Sequence, residues 1–493
     1  MTGLSTVPPV EALAILAFAV PVLLLIGWGR RKPTTRARWA TRRDLRPLAV
    51  PAPVPGRITL GTAGRQLLAA EPQHSLIVFG PIGSGKTLSV VEPALLEWPG
   101  PAVVTTVKAG VLDHTEGHRA GIGPVFVYDP TGSTGRRCST WTPLIGCGTW
   151  TGASQMAGWL VAAAGEAGQG DHARFWTPLA RKLLAPLLFA AGASSGSMSD
   201  VVRWVDTKDT VEVKDILHRQ GVNEAINAFT ASCGRPTETG GSVYATAETI
   251  LDVYTDPQVA ESASSCEITP ARLLDSSGTL YLVAPAHAQD RLRPLFEALV
   301  MSVVREAQDR AQAGKTVSPG LLLLLDEAGN TAPLRDLPSI ASTGREQGIQ
   351  VVSCWQDMAQ VTDRYGRQAA TVANNHRGRL ALAGIADLGT LDYLSRLLGD
   401  TDVDRTSVTH QAGGGQSTST STQQQRLAPA DTIRQLPIGR GVLVYGSTPA
   451  ARVTLRRADR GRLAAVWEAG KPRTVVPPLA ELDPAPVEDA PAC

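Results

Sequence analysis

Short apolar, β-branched runs recur along the chain. They fall at 75–80 (SLIVFG), 101–108 (PAVVTTVK), 124–130 (PVFVYDP), 279–285 (TLYLVAP), 321–327 (LLLLLDE), 349–356 (IQVVSCWQ), 379–384 (RLALAG) and 441–446 (GVLVYG). Each is continuous rather than alternating, as expected of a strand buried on both faces, and each leads into a turn or a helical stretch. The pattern predicts an α/β domain built on a parallel sheet. From about 150 to 270 it changes. Stretches such as FWTPLARKLLAPLLFAAGA and GSVYATAETILDVYTD carry apolar residues at three- and four-residue spacing, the helical period. That block predicts an all-α domain inserted into the α/β domain.

The ends read differently. Ala12 to Gly29 is an uncharged apolar stretch, and eight basic residues follow it between Arg30 and Arg46 against one acid, Asp44. As a helix it would rise about 27 Å, close to the roughly 30 Å of a bilayer's hydrocarbon core. Pro21 inside it is tolerable in lipid. Positive charge after the apolar run, not before it, argues against a cleaved signal peptide and for an anchor with the N-terminus outside. The expected localisation is the cell membrane, single-pass, with everything from Arg30 onward cytoplasmic. Residues 30–73 are expected to be a basic juxtamembrane segment and a Pro-, Gly- and Ala-rich linker. Residues 74–149 and 271–465 form the two parts of the nucleotide-binding domain on this reading, 150–270 the helical insertion, and 466–493 a disordered, Pro-rich tail. QAGGGQSTSTSTQQQ, 411–425, has almost no apolar residue and is expected to be a mobile loop.

Composition changes little. A hydrophobic content of 43% fits a globular chain, and a formal charge of +2 excludes wrapping nucleic acid by bulk charge but permits a local basic channel. Six scattered cysteines without a C-x-x-C pair fit a reducing compartment.

The candidate chemistry begins at Gly80-Pro81-Ile82-Gly83-Ser84-Gly85-Lys86-Thr87. A G-x-x-x-x-G-K-T sequence between a strand and a helical stretch is a P-loop, whose backbone N–H groups cradle phosphates. Lys86 reaches the β- and γ-phosphates and Thr87 offers a hydroxyl to Mg²⁺. The second metal contact is expected from Asp326 at the end of the leucine strand. Its neighbour Glu327 is placed to deprotonate the attacking water. A guanine-specific N-K-x-D sequence is absent, so ATP with Mg²⁺ is the expected pair. Lys86 and Asp326 lie 240 positions apart, which suits a large RecA-like motor rather than a small switch. Gln356 follows the next strand and could sense the γ-phosphate or hold the water. Arg345, in a Gly-flanked loop, is a candidate arginine finger for a neighbouring subunit, with Arg377 and Arg379 as rivals. His114 and His118 with Asp113 read as a solvated turn rather than a metal site. Trp355 reads as core more readily than as a base-stacking platform.

These pieces together resemble the type IV secretion coupling proteins of the VirD4/TraG/TraD group. The resemblance spans roughly 74–450 and is carried by TTVKAGVLDHTEGHRAG, VFVYDPTGSTGRRCSTWTPL, LLLLLDEAGN, Arg345-Glu346-Gln347-Gly348-Ile349 through Gln356 and Gln360, and NNHRGRLALAGIADLGTLDYLSRLLGD. Thr142 stands where the group usually has Asn. The resemblance implies a membrane-anchored ATPase that feeds single-stranded DNA, without sequence preference, and its relaxase or relaxosome into a conjugative type IV secretion channel. It also implies a homohexameric ring, with Arg345 as the finger and the helical block meeting cargo. Many members have two membrane helices, whereas one is legible here. Two rival functions remain, a septal DNA pump of the FtsK/SpoIIIE type and an exporter of proteins only. A winged-helix DNA reader, expected of the former, has no room after the last strand.

Overall fold

The computed structural model describes residues 37–164, 171–330, 334–410 and 416–470. The apolar stretch 12–29 and residues 471–493 lie outside them. Among the described residues no helix is long and apolar enough to cross a membrane.

The strands, in chain order, are β1 (Ala49–Val50), β2 (Thr59–Ala63), β3 (Gln66–Ala69), β4 (Leu76–Phe79), β5 (Ala102–Thr106), β6 (Val125–Tyr128) and β7 (Thr279–Val283). They continue with β8 (Leu321–Leu325), β9 (Ile349–Trp355), β10 (Gly378–Leu382), β11 (Asp400–His410), β12 (Gln416–Arg426), β13 (Arg440–Tyr445) and β14 (Thr448–Thr454). All but β11 and β12 join one sheet, ordered β1-β3-β2-β14-β13-β10-β4-β9-β8-β5-β7-β6. From β10 to β6 every pairing is parallel. The five leucines of β8 are fully buried, each contributing on the order of 2 kcal/mol, which explains a run with no polar face.

The expectation of a wholly parallel sheet is corrected on one side. The run at 441–446 is β13, antiparallel to β10, and β14, β2, β3 and β1 extend that antiparallel wing. The linker expected within 30–73 is corrected with it, because 49–69 supplies three of those strands. Glycine misled there: Gly61, at φ +107°, serves close approach, and a Cβ on it would lie 2.6 Å from the Thr454 carbonyl oxygen.

Between β6 and β7 the described residues hold helices and no strand: 150–164, 171–193, 198–206, 211–220, 223–233, 237–251, 257–262 and 270–275. Local sequence sets their limits. Ser197 and Asp200 form a reciprocal capping box at the start of Met198–Asp206, and Gly221, at φ +69°, ends Val211–Gln220. Trp150–Ala164 packs on Gln289–Gln312, the long helix after β7.

Two further expectations are corrected. Residues 464–470 of the region around the expected tail form a helix, with Trp467 Nε1 donating to Glu92 at 2.6 Å. His114 and His118 sit on the helix Gly110–Ala120 rather than in a turn, and His114 pairs with Glu92 at 2.8 Å.

Residues 37–38 and 395–428 make a second compact unit. In it β11 and β12 pair in register from Asp400↔Arg426 to His410↔Gln416. The mobile loop expected over 411–425 is therefore strand from 416 onward. Facing Thr406↔Thr420, Ser407↔Ser419 and Val408↔Thr418 pairs, with an Asp400–Arg426 ion pair at 3.1 Å, hold a hairpin that needs no apolar core face to be read as strand.

Candidate nucleotide-binding site

Because β4, β9 and β8 are parallel, their C-terminal ends emerge at one edge of the sheet. Phe79 lies opposite Trp355, and Leu325 opposite Ser353. The segments that follow therefore gather there, as ligand sites do in open parallel sheets. Gly80 donates its N–H to the Trp355 carbonyl at 3.0 Å, which ties the loop's first residue to the strand that delivers Gln356.

Gly80–Thr87 curls with Gly83 at φ +82° and Gly85 at φ +88°. A Cβ on Gly80 would lie 2.5 Å from Ser84 Oγ and 3.1 Å from Leu382 Cβ, so a larger residue would have to turn the Ser84 hydroxyl away and crowd Leu382. Lys86 is buried, and its ammonium donates back to the carbonyls of Gly80 and Pro81, the latter at 3.1 Å. Ile82 at the tip is 82% exposed. After the loop the chain forms a π-turn, Thr87–Val91, and then the α-helix Glu92–Glu97.

Thr87 Oγ1 donates to the Asp326 carboxylate, at 3.2 Å to Oδ1 and 3.4 Å to Oδ2. Thr106 Oγ1, at the end of β5, donates to the same carboxylate at 3.5 Å. Burial first, and the negative charge of Glu327 second, push the Asp326 carboxyl up to about 6. Glu327 is half-buried beside it. Its Oε2 accepts from Asn330 Nδ2 at 3.2 Å, and Asn330 Oδ1 accepts from Gln360 Nε2 at 3.4 Å. Gln360 Oε1 in turn accepts the Gln356 N–H at 3.0 Å. Glu327 and Gln356 are thus the two ends of one hydrogen-bonded chain. Its middle, Asn330 and Gln360, was legible only as motif letters, because no local signal says that an amide two strands' loops away will bridge.

Arg345 is not part of this cluster. It precedes β9 and so lies at the opposite end of a seven-residue strand, about 20 Å in length. It is exposed. Arg377 and Arg379 sit at the start of β10, at that same far end. Arg345 and Arg377 both lower the proton affinity of His74, behind the burial of the ring itself, which places both near the start of β4. Trp355 is buried in the core, donating to Ser353 Oγ at 3.0 Å.

The residues present fit a magnesium nucleotide. Ser84 Oγ is buried with no partner, a donor left over in the wall of a loop lined by N–H groups. The Thr87 hydroxyl and the Asp326 carboxylate are hard oxygen ligands side by side. Magnesium typically takes one or two such protein groups and fills its shell with phosphates and water.

The fold and the loop define a P-loop protein on a RecA-like sheet. Its family is narrower. The model of the type IV secretory system conjugative DNA transfer family matches residues 47–455, and the chain belongs to that family. The conjugal transfer protein TraG of Escherichia coli is 28% identical over 368 residues, covering 69% of this chain and 56% of that protein. Protein VirD4 of Rhizobium radiobacter is 24% identical, covering 76% and 56%. The chain thus spans little more than half the length of these relatives. Among solved structures, the plasmid coupling protein TrwB in complex with ADP and Mg²⁺ is 20% identical, with a TM-score of 0.65 over 86% of this chain and 95% of that one. That likeness concerns the fold.

Proposed function

We propose that this chain is an ATP-driven motor that delivers single-stranded DNA, with its relaxase, to a type IV secretion channel during conjugation. One observation carries the reading: the P-loop hydroxyl of Thr87 is hydrogen-bonded to Asp326, 239 positions away, with Glu327 next to it and wired to Gln356. Membership of a conjugative DNA transfer family supports the substrate class. The solved TrwB complexes with an ATP analogue and with ADP and Mg²⁺ support ATP and Mg²⁺ as the ligands here.

On this reading Gly80–Thr87 wraps the phosphates and Lys86 swings from the Gly80 and Pro81 carbonyls to the β- and γ-phosphates. Thr87 and Asp326 would hold the metal, which neutralises charge on the phosphates when bound. Glu327 accepts the proton of the attacking water, and Gln356 senses the γ-phosphate. Asn330 and Gln360 hold these two at a fixed separation. Arg345, at the far end of β9, can act only on a neighbouring copy's nucleotide, which is the reason to propose a ring, a homohexamer as the resemblance implies. The N-terminal 12–29 helix would anchor the ring in the cell membrane, motor on the cytoplasmic side.

The test uses the full chain in detergent. Hydrolysis of ATP should depend on Mg²⁺ and rise with single-stranded oligonucleotide, and Lys86→Ala should abolish it. In a donor lacking the protein, wild type should restore mating and Lys86→Ala should not. An active ATPase that no DNA stimulates, and whose loss spares DNA transfer, would point to protein export instead. Arg345→Ala mixed with Lys86→Ala should regain part of the lost turnover. Absence of that recovery in stably mixed rings counts against the finger.

A further inference from the structure

Five arginines line one open cleft of about 600 Å³: Arg440, Arg456, Arg457, Arg460 and Arg462, with Leu455 and Leu463 as its apolar wall and Ile438, 73% exposed, at its rim. None belongs to the nucleotide cluster described above. Register nonetheless places the cleft at the same edge of the sheet. Ala381 pairs with Phe79 of β4, and Leu382 with Gly441 of β13, so Arg440 lies on the edge from which the P-loop emerges.

The charge there is not balanced. Arg456 reaches Glu97 at 2.5 Å and Arg457 forms a two-pronged pair with Asp459 at 2.8 and 2.6 Å. Arg440 donates to the Thr454 hydroxyl. Arg460 and Arg462 are exposed, and among the described residues neither has an acid within ion-pair distance. Five guanidinium groups therefore share two ion-paired carboxylates, Glu97 and Asp459, with the charge of Glu92 acting on Arg457 from outside the lining. Solvated surface arginines are common, but five on one concave wall carry a mutual repulsion that an anion relieves. Planar guanidinium forks match phosphate oxygens in pairs.

The cleft is also joined to the helix that carries Thr87. The π-turn Thr87–Val91 leaves the Leu88 carbonyl to an outside donor, and the N–H of Ala458 supplies it at 2.8 Å. Arg456 grips Glu97 at the far end of the same helical segment. One strip of chain, 456–463, thus supplies four of the five cleft arginines and splints both ends of that segment.

We propose that this arginine cleft binds the phosphodiester backbone of a single-stranded nucleic acid, and that its occupancy reaches the nucleotide site through the Ala458–Leu88 bond. The inference rests on the nucleic-acid part of the function proposed above and assigns residues to it. Backbone contact by guanidinium groups gives affinity without sequence preference.

The test measures binding of a fluorescent oligothymidylate to the full chain against salt. Each phosphate contact contributes about 0.7 to the slope of log affinity on log salt for single strands. Arg460→Ala/Arg462→Ala should lower that slope by about 1.4 and raise the oligonucleotide concentration needed for half-maximal ATPase stimulation. Arg460→Lys/Arg462→Lys should keep the slope. Unchanged binding and slope in the alanine variant overturn the proposal while leaving the motor reading intact. Loss of affinity for a fluorescent ATP analogue with an unchanged salt slope also overturns it, assigning the arginines to the nucleotide. A wild-type chain that binds no oligonucleotide sinks both readings.

Discussion

Asp326→Asn should make the nucleotide-free protein more stable at neutral pH while destroying its turnover. The carboxyl is 7% exposed, and burial beside Glu327 raises it from an ordinary 3.8 to about 6. The sign follows from proton binding. Between those two values the folded chain holds a proton that the unfolded chain has released, so stability falls as pH rises through that window and stays low above it. Two units correspond to about 3 kcal/mol at pH 8, roughly half that at pH 5, and nearly nothing at pH 3.8. Asparagine keeps one oxygen for the Thr87 and Thr106 hydroxyls but brings an amide N–H₂ that needs acceptors, so a net gain of about 1–3 kcal/mol at pH 8 is expected. In a unit of this size that is a rise on the order of 1–2 °C in melting temperature per kcal/mol. Paired melts of wild type and variant without nucleotide, at pH 5 and pH 8, read it, and Mg²⁺-dependent ATP hydrolysis reads the loss. A variant less stable than wild type at pH 8 would refute the reasoning, because it would mean that the site favours the charged carboxylate even without a metal.

Glu327→Gln should abolish hydrolysis and leave the affinity for a fluorescent ATP analogue within about twofold, since the amide keeps the Asn330 hydrogen bond but cannot accept a proton. Gln360→Ala cuts the only chain between Glu327 and the Gln356 backbone seen among the described residues, and should lower kcat about tenfold with little change in KM. Arg119→Met should cost about 3–5 kcal/mol in urea unfolding. That guanidinium is fully buried, pushed down to about 10 by burial, and its loss strands the Thr279 hydroxyl and the carbonyls of Leu95, Trp98 and Gly100.

Much of this protein was legible before its structure. Continuous apolar runs in β4, β5 and β8 read as doubly covered strands because they are short, bounded by Gly, Pro or acidic turns, and show no alternation that would mark a wet face. The P-loop and the acidic strand end were legible for a related reason: both are local devices whose residues sit within a few positions of one another. Periodicity likewise identified the helices between β6 and β7, local structures of which some carry their own side-chain caps, as Met198–Asp206 does at Ser197.

What only the tertiary structure decided is non-local. Residues 49–69 look like a linker, yet they complete the sheet because Gly61 lets their backbone meet Thr454. The same holds for β11 and β12, whose Ser, Thr and Gln residues carry no core signal until each strand lies against the other. Arg345 and Gln356 flank one strand in sequence and stand at its opposite ends in space. Asn330, in the turn after β8, meets Gln360 on the helix after β9, and five arginines, one opening β13 and four beyond β14, converge on one cleft beside the Thr87 helix. Local propensity and hydrophobic period determine which elements form; the pairing of strands far apart in the chain determines which side chains those elements bring together.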